Sequence, residues 1–506
     1  MVSMSPEPPT PADRDSPAVP RRTIARRLLV VTGTLAAAGG LAALYTLLPG
    51  GQFGGQSGGQ SGLTDTGRGT ITVFAAALVG WTLTRLDDVF IGLTAAAALV
   101  ACGLLAEEAV FGVLGSETIW LLVAACVIAA GVSASGLPAR AALALIARAR
   151  SPRQLAHMTT LAVLLTALAV PATSGRAALV LPVFLALARL LTDRPVLVRA
   201  LALLFPTVVL LSAVASLIGA AAHLITSEVL AAMTGTGIGF GQWLLLGLPL
   251  AVVSSHLAAE LVLITMTDRA ERRDPLKLRR DRLAELVGDG ATGPLTGAQL
   301  RMLGVLVGVV VLWCTEPLHG FSPTLVALVG ALAATAPGLG TVRMSAALAS
   351  VPWALLLFMV CTAALGDALA RSGAADWLAG IALGGFGPGD GTVVLTMVVT
   401  VSAAAHLVLQ SRSARSAVLI PVIVPLAVAS GLDPAAVAFA STAAAGFCHT
   451  LPSSAKPVAM FADLPDVPTY RRADLIRLSA LLGPLMVALV LVFSHSVWPH
   501  LGLPLR

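Results

Sequence analysis

Charge is what this sequence has least of. Asp, Glu, Lys and Arg together make up 11% of its 506 residues, against about 25% in soluble domains. Hydrophobic residues reach 57% and mean hydropathy is +0.90. So few charges cannot cover that much apolar surface in water, which excludes the three or four soluble domains that length alone allows. Collagen-like, disulfide-scaffold and disordered classes are excluded with them. Lysine occurs only as Lys277 and Lys456, so the net charge of +6 is carried by arginine; the bias implies no nucleic-acid partner. The five cysteines are an odd number, all in apolar segments and without metal-ligand spacing, so neither a disulfide framework nor a metal or other cofactor site is expected. The solvent this chain is built for is the lipid bilayer.

Residues 1–27, ending in Arg21, Arg22, Arg26 and Arg27, read as a disordered cytoplasmic tail. Leu28 to Leu48 is long enough to cross a bilayer and too long for a signal-peptide core, so it reads as an uncleaved first helix. The Gly-Gly-Gln repeat over Gly50–Gly62 reads as an external loop. Further apolar segments cover about 70–84, 88–109, 117–134 and 136–148, then Arg148, Arg150 and Arg153 mark a cytoplasmic edge. The most charged stretch, 267–301, reads as a cytoplasmic loop joining two halves. Apolar segments resume from Met302 to Phe493, giving about eleven membrane helices, with the N-terminus cytoplasmic, residues 496–506 outside, and the plasma membrane as location.

An internal repeat is legible. Ser174-Gly-Arg-Ala-Ala-Leu-Val-Leu-Pro-Val183 returns as Ser413-Ala-Arg-Ser-Ala-Val-Leu-Ile-Pro-Val422, 239 residues later. Upstream, Trp120 leads to Ser135-Gly136 as Trp353 leads to Ser372-Gly373. The units implied are transport repeats over 117–266 and 350–495, with scaffold helices over 28–116 and 302–349. The fold expected is an all-α polytopic membrane protein of two inverted repeats, the architecture of secondary transporters, whose sites lie where broken helices meet. The apolar arms Met158–Val170 and Ala177–Leu191 around the first motif would each cover about 20 Å, too short for a hydrocarbon core of about 30 Å. They predict a re-entrant hairpin, and the repeat predicts a second. The bland reading is full spans with Arg176 in an ordinary loop.

These residues resemble the divalent anion:sodium symporters, carriers of di- and tricarboxylates or sulfate, within the superfamily that includes arsenite permeases. The resemblance rests on Trp120-Leu-Leu through Ser135-Gly-Leu137, on Val351-Pro-Trp-Ala-Leu-Leu-Leu-Phe358 through Ser372-Gly373, and on Pro182 and Pro421 closing two hairpin-tip motifs. It implies a homodimer that moves its transport region against a fixed scaffold and binds a small anion. The departures matter equally. Where the family's tips read Ser-Asn-Thr, this chain has Ala172-Thr173-Ser174 and Ser411-Arg412-Ser413, and Arg176, Arg412 and Arg415 appear. The family's unwound breaks correspond to Ser216-Leu-Ile-Gly219 through Ile225 and to Leu451-Pro-Ser-Ser454-Ala-Lys456-Pro-Val458.

Sodium needs uncharged oxygen ligands, and fixed cations there would repel it. The expectation is therefore that protein cations replace sodium. Arg176, Arg415 and Lys456 would meet the anion, since a planar guanidinium donates two parallel bonds to a carboxylate or sulfate. Around them the substrate site would include Thr173, Ser174, Gly175, Ser411, Ser413, Ala414, Gly219 and Ser454, with helix N-termini adding donors. The competing reading pairs the cations with Glu228, Glu260 or Asp367 as structural ion pairs. His223, His449 and Asp367 are proton-relay candidates, or else interior hydrogen-bonded groups. His256 and Glu260, four apart, share a helix face and with Ser255 suggest an intramembrane hydrolase, but no nucleophile elbow, HExxH or phosphate loop accompanies them; no enzyme is expected. Sodium-coupled symport, ion/proton antiport or arsenite-type permeation, and a channel or transport-dead sensor are the alternatives.

Overall fold

The computed structural model describes residues 39–506 apart from 51–61, 85, 277, 279–281, 283–284, 287–292 and 384–390. The expected tail, most of the first helix, the Gly-rich loop and the basic residues Lys277, Arg279 and Arg280 lie outside the described residues.

Helices make up the fold, and among the described residues there is no strand beyond one isolated bridge between Gly50 and Leu63. In chain order the first half comprises α1 (Asp65–Leu83), α2 (Asp88–Ala101), α3 (Glu117–Ala134), α4 (Leu137–Ile146), α5 (Pro152–Ala169), α6 (Thr173–Leu190), α7 (Pro195–Leu211), α8 (Ala221–Thr234) and α9 (Phe240–Met266). The second half comprises α10 (Gly297–Cys314), α11 (Pro323–Thr335), α12 (Trp353–Arg371), α13 (Ala374–Leu383), α14 (Gly391–Ala404), α15 (Arg412–Ala429), α16 (Pro434–Ala444), α17 (Lys456–Ala462) and α18 (Arg472–Val492). Leaving aside the segment 39–47 and the short helices Glu107–Phe111, Arg269–Arg273, Glu316–His319 and Met344–Ala349, each of these first-half helices has its counterpart nine places later. Thr173 and Arg412, which open α6 and α15, are separated by the 239 residues of the sequence repeat, and both helices have 18 residues. The correspondence extends to α1–α2 and α10–α11, segments that the sequence motifs alone did not pair.

Local chemistry sets these boundaries. Ser151 and Ser411 cap α5 and α15, and Thr64, Ser116, Thr296 and Ser322 cap α1, α3, α10 and α11, each hydroxyl accepting from a first-turn N–H. Proline opens α5, α7, α11 and α16, where its missing N–H has no partner to lose. Among the described residues eight helical segments are long and apolar enough to cross a membrane, and five more are apolar but shorter; with the family match given below, the chain is a multi-pass membrane protein. The hairpin arms correct the sequence estimate. Both α5 and α6 run 18 residues, about 27 Å each. Hydropathy ended them early at Gln154, His157, Ser174 and Arg176, polar residues that the helices nonetheless contain; the side chains of Gln154, His157 and Arg176 find partners there.

The breaks fall where backbone crowds backbone. After α7 the chain tightens into 3₁₀ turns at Ser212–Ala215 and Leu217–Gly219 before α8 begins. A Cβ on Gly219 would sit 2.1 Å from the Ala213 carbonyl oxygen, and one on Gly247 of α9 would sit 2.0 Å from that of Val214. Only glycine permits either approach. After α16 the second break runs to a 3₁₀ turn at Pro452–Ser454, where Ser454 Oγ accepts from the Leu451 N–H at 3.0 Å. The short helices beyond the breaks then cross over: α8 packs on α15, and α17 packs on α6 and α7.

Candidate functional site

The two repeats bring their hairpin tips and their breaks together around three guanidinium groups. At the first tip, Pro171-Ala172 turns the chain between α5 and α6, with Ala172 at φ 69°, a conformation unusual for a side-chain-bearing residue. Arg176, one turn into α6, is fully buried. Its Nε donates to Thr166 Oγ1 at 3.0 Å, Nη1 to the Val209 carbonyl at 3.0 Å, and Nη2 to the Val163 carbonyl at 3.0 Å and Ser212 Oγ at 2.6 Å. Four of its five N–H groups are thus taken by the hairpin's outer arm and the end of α7. Arg176 ties three segments together, and one N–H remains for anything else.

At the second tip the equivalent residue is left open. Arg415 is also fully buried, yet Nε, Nη1 and Nη2 have no hydrogen-bond partner. Arg412, three residues earlier and on the same face, has Nε and Nη1 buried without partners, and its Nη2 lies beside Gly446 in the second break. Arg412 is within electrostatic reach of Arg176, His223, Arg415 and His449. No carboxylate among the described residues forms an ion pair with Arg176, Arg412 or Arg415. Glu260 pairs with Arg153 at 2.6 Å and Asp367 with Arg371 at 2.7 Å. The structural ion pairs that would have made these arginines bland are therefore taken elsewhere.

Around the arginines lie further buried groups without partners: Ser216 Oγ, Ser416 Oγ, His223 Nε2 and His449 Nε2. His223 opens α8 with Nδ1 3.0 Å from the Ser216 carbonyl and its ring stacked on Trp243, centroids 4.9 Å apart. His449 is buried beside Phe447, with Nδ1 accepting from the Cys448 N–H at 3.3 Å. His406, placed by sequence in the hairpin arm, is held by the Ala403 carbonyl and by Thr450 Oγ1.

Other expected site residues are placed as follows. Thr173, Ser174, Ser411 and Ser413 are half-buried at the two tips, Gly175 is exposed, and Ala414 and Gly219 are buried. Ser411 Oγ is engaged as the α15 cap and Ser454 Oγ by the Leu451 N–H. Lys456 is exposed at the start of α17. Asp367 lines a separate pocket with Glu108, Glu228 and Arg371. His256 and Glu260 do share a face, and both meet His157 of α5, at 2.9 Å between the Nδ1 atoms and 2.6 Å from Nε2 to Oε1. Ser255 Oγ has no partner and is not hydrogen-bonded to that cluster. Among the described residues no group of three or more His, Cys, Asp or Glu side chains is arranged to hold a metal ion.

Sequence reasoning treated Arg176 and Arg415 alike and missed the groups that separate them. The signal was present in the repeat spacing. The residue 239 positions after Thr166 is Ala405, and in the breaks, where Ser216 and Leu451 each stand before the 3₁₀ turn, the offset falls to 235 and sets Phe447 against Ser212, so the second repeat lacks both hydroxyls that satisfy Arg176.

The geometry is that of an all-helical repeat protein with buried unpaired cations between two tips and two breaks. The pattern of the sodium:sulfate symporter transmembrane region matches residues 59–503, and the chain belongs to that family, the divalent anion:sodium symporters. Among curated relatives, a membrane protein of Cupriavidus necator is 27% identical over 312 residues, covering 60% of each chain. The citrate/succinate antiporter of Escherichia coli K12 is 28% identical over 340 residues, 63% of this chain and 65% of that one. The chain thus spans less than two thirds of the length of these relatives. Two solved transporters share the fold. YdaH of Alcanivorax borkumensis superposes with a TM-score of 0.54 at 18% identity over 94% of this chain and 98% of its own. MtrF of Neisseria gonorrhoeae superposes with a TM-score of 0.55 at 15% identity over 92% and 94%.

Proposed function

We propose that this protein is a secondary transporter of small di- or tricarboxylates, or sulfate, that binds its anion on Arg415 and Arg412 and works without sodium. The observation that carries this reading is Arg415, enclosed with every guanidinium nitrogen unpartnered. A buried cation without hydrogen bonds or counter-charge is strongly unfavourable, so its neighbourhood is built for a negative ligand that supplies both. Arg412 adds a second charge on the same helical face, and α15 directs its N-terminus the same way. Arg176 contributes field and holds the first tip in place, its own donors being largely spent. Lys456 lies at the margin of the site.

The same charges argue against the coupling ion of the family's name. A sodium ion needs a shell of neutral or negative oxygens, and three guanidinium groups, with Arg412 in reach of both others, oppose it. Exchange of one anion for another fits a site that carries its own cations, and a citrate/succinate antiporter of Escherichia coli is among the proteins this chain resembles. Movement of the hairpins against the α1–α2 and α10–α11 helices, elevator fashion and in a homodimer, is the reading that the family resemblance supports. His223, His449 and Asp367 remain the groups through which a proton would couple if exchange is not obligatory.

Counterflow in proteoliposomes preloaded with succinate, malate, citrate or sulfate, in sodium-free buffer, tests the proposal. Accumulation of labelled anion without sodium, lost in Arg415→Ala and Arg412→Ala, is the expected result. Uptake that appears only with sodium would instead establish the sodium-coupled symport that the family name describes.

A further inference from the structure

His223 is the one group at this site whose chemistry differs from the rest. The Ser216 carbonyl, 3.0 Å from Nδ1, can only accept, so Nδ1 carries the proton and donates. The stack on Trp243 fixes the ring plane. What remains is Nε2, fully buried and without a partner. Arg412 and Arg176 are within electrostatic reach of the ring, and no carboxylate among the described residues pairs with either, so a charged imidazole would add another uncompensated cation. In the neutral ring with Nδ1 protonated, Nε2 offers a lone pair and nothing else.

The other unpartnered groups nearby, Arg412, Arg415, the hydroxyls of Ser216 and Ser416, and His449 Nε2, which carries the proton because Nδ1 accepts from the Cys448 N–H, are donors or can donate. A ligand that satisfies the whole set has several acceptor oxygens and one donor aimed at His223. Plain dicarboxylates and sulfate, fully ionised, have no donor. An ionised hydroxy acid has one.

We propose that His223 determines specificity by accepting a hydrogen bond from the hydroxyl of a 2-hydroxy di- or tricarboxylate, so that the carrier favours hydroxylated acids over their unsubstituted counterparts. This rests on the anion reading of Arg412 and Arg415 and deepens it. An unsubstituted acid leaves Nε2 buried and unpaired, and sites built to bond a hydroxyl discriminate strongly against analogues without one.

Counterflow with matched pairs, malate against succinate and citrate against tricarballylate, reads the effect directly. The wild type is expected to favour the hydroxylated member by about tenfold or more in half-maximal concentration. His223→Leu should bring the ratio close to one, mainly by weakening the hydroxy acid. His223→Gln, whose amide oxygen can accept at similar reach, should restore most of it; size-exclusion profiles of each purified variant check that the fold is intact. Equal affinity for the paired acids in the wild type would overturn the inference while leaving the anion reading in place. So would a His223→Leu protein that loses both members by the same factor, since a purely structural histidine acts that way. Failure to transport any of the four acids would remove the carboxylate reading and this inference together.

Discussion

Arg176 and Arg415 stand fourth in helices of equal length at matching places in the two repeats, both fully buried, and their surroundings are opposite. The first donates to two hydroxyls and two carbonyls, with one N–H left over; the second has no partner at any nitrogen. Duplication supplied two copies of one device, and small changes around it divided the labour. Where Thr166 and Ser212 supply oxygens, the guanidinium becomes a brace. Where Ala405 and Phe447 take the corresponding positions, none of its nitrogens has a partner. Burial alone does not tell a structural arginine from a binding one; the count of satisfied donors does.

The sharpest way to break this comparison is to remove each arginine and read binding and stability separately. Arg415→Met should lower transport about 100-fold or more, the usual scale for losing a buried charge contact to a ligand, while the thermal unfolding midpoint in detergent holds or rises because an unpaired buried charge is gone. A lowered midpoint with transport retained would reverse the assignment. Arg176→Ala should do the opposite, destabilising by about 3–5 kcal/mol as two carbonyls and two hydroxyls lose their donors; measured as lost midpoint and yield, an effect close to zero would show that the brace is idle. Arg176→Lys should recover only part of that loss, since an ammonium cannot reproduce the fork.

Smaller substitutions sharpen the same contrast. Thr166→Val removes one acceptor from Arg176 and should cost about 1–2 kcal/mol with little change in anion affinity. The reciprocal change, Ala405→Thr, offers the second repeat an oxygen of the kind the first one uses; a fall in anion affinity with a gain in stability would show that internal and external acceptors compete for Arg415. Smallest of all should be Glu260→Gln, because the Glu260 side chain is 28% exposed and its contacts with Arg153 and His157 are screened. Less than about 1 kcal/mol is expected, and a large loss of transport there would move part of the mechanism to the His157–His256–Glu260 cluster.

Much of this was legible before any coordinates. Composition gave the membrane, and the 239-residue repeat of the Ser174 and Ser413 motifs gave the paired helices, because both depend on patterns that survive in one dimension. Helix ends were less legible. Hydropathy stops at the first polar residues of α5 and α6, whereas the helices continue through them once Ser151 caps one and Arg176 is bonded within the other. Least legible was the division between Arg176 and Arg415. It depends on which oxygens arrive from Val209 and Ser212, more than 30 residues along the chain from Arg176, and on ion pairs that carry Glu260 and Asp367 to other partners.

The crossing of α8 onto α15 and of α17 onto α6 and α7 bears on ancestry and assembly. Each half finishes the other's hairpin, so neither is a self-sufficient folding unit. Before the two halves were fused, a single-repeat ancestor would have needed a second copy of itself to complete one site, and every substitution would have struck both tips at once. Fusion removed that constraint, and only then could one arginine settle into bracing the hairpin while its twin stayed open.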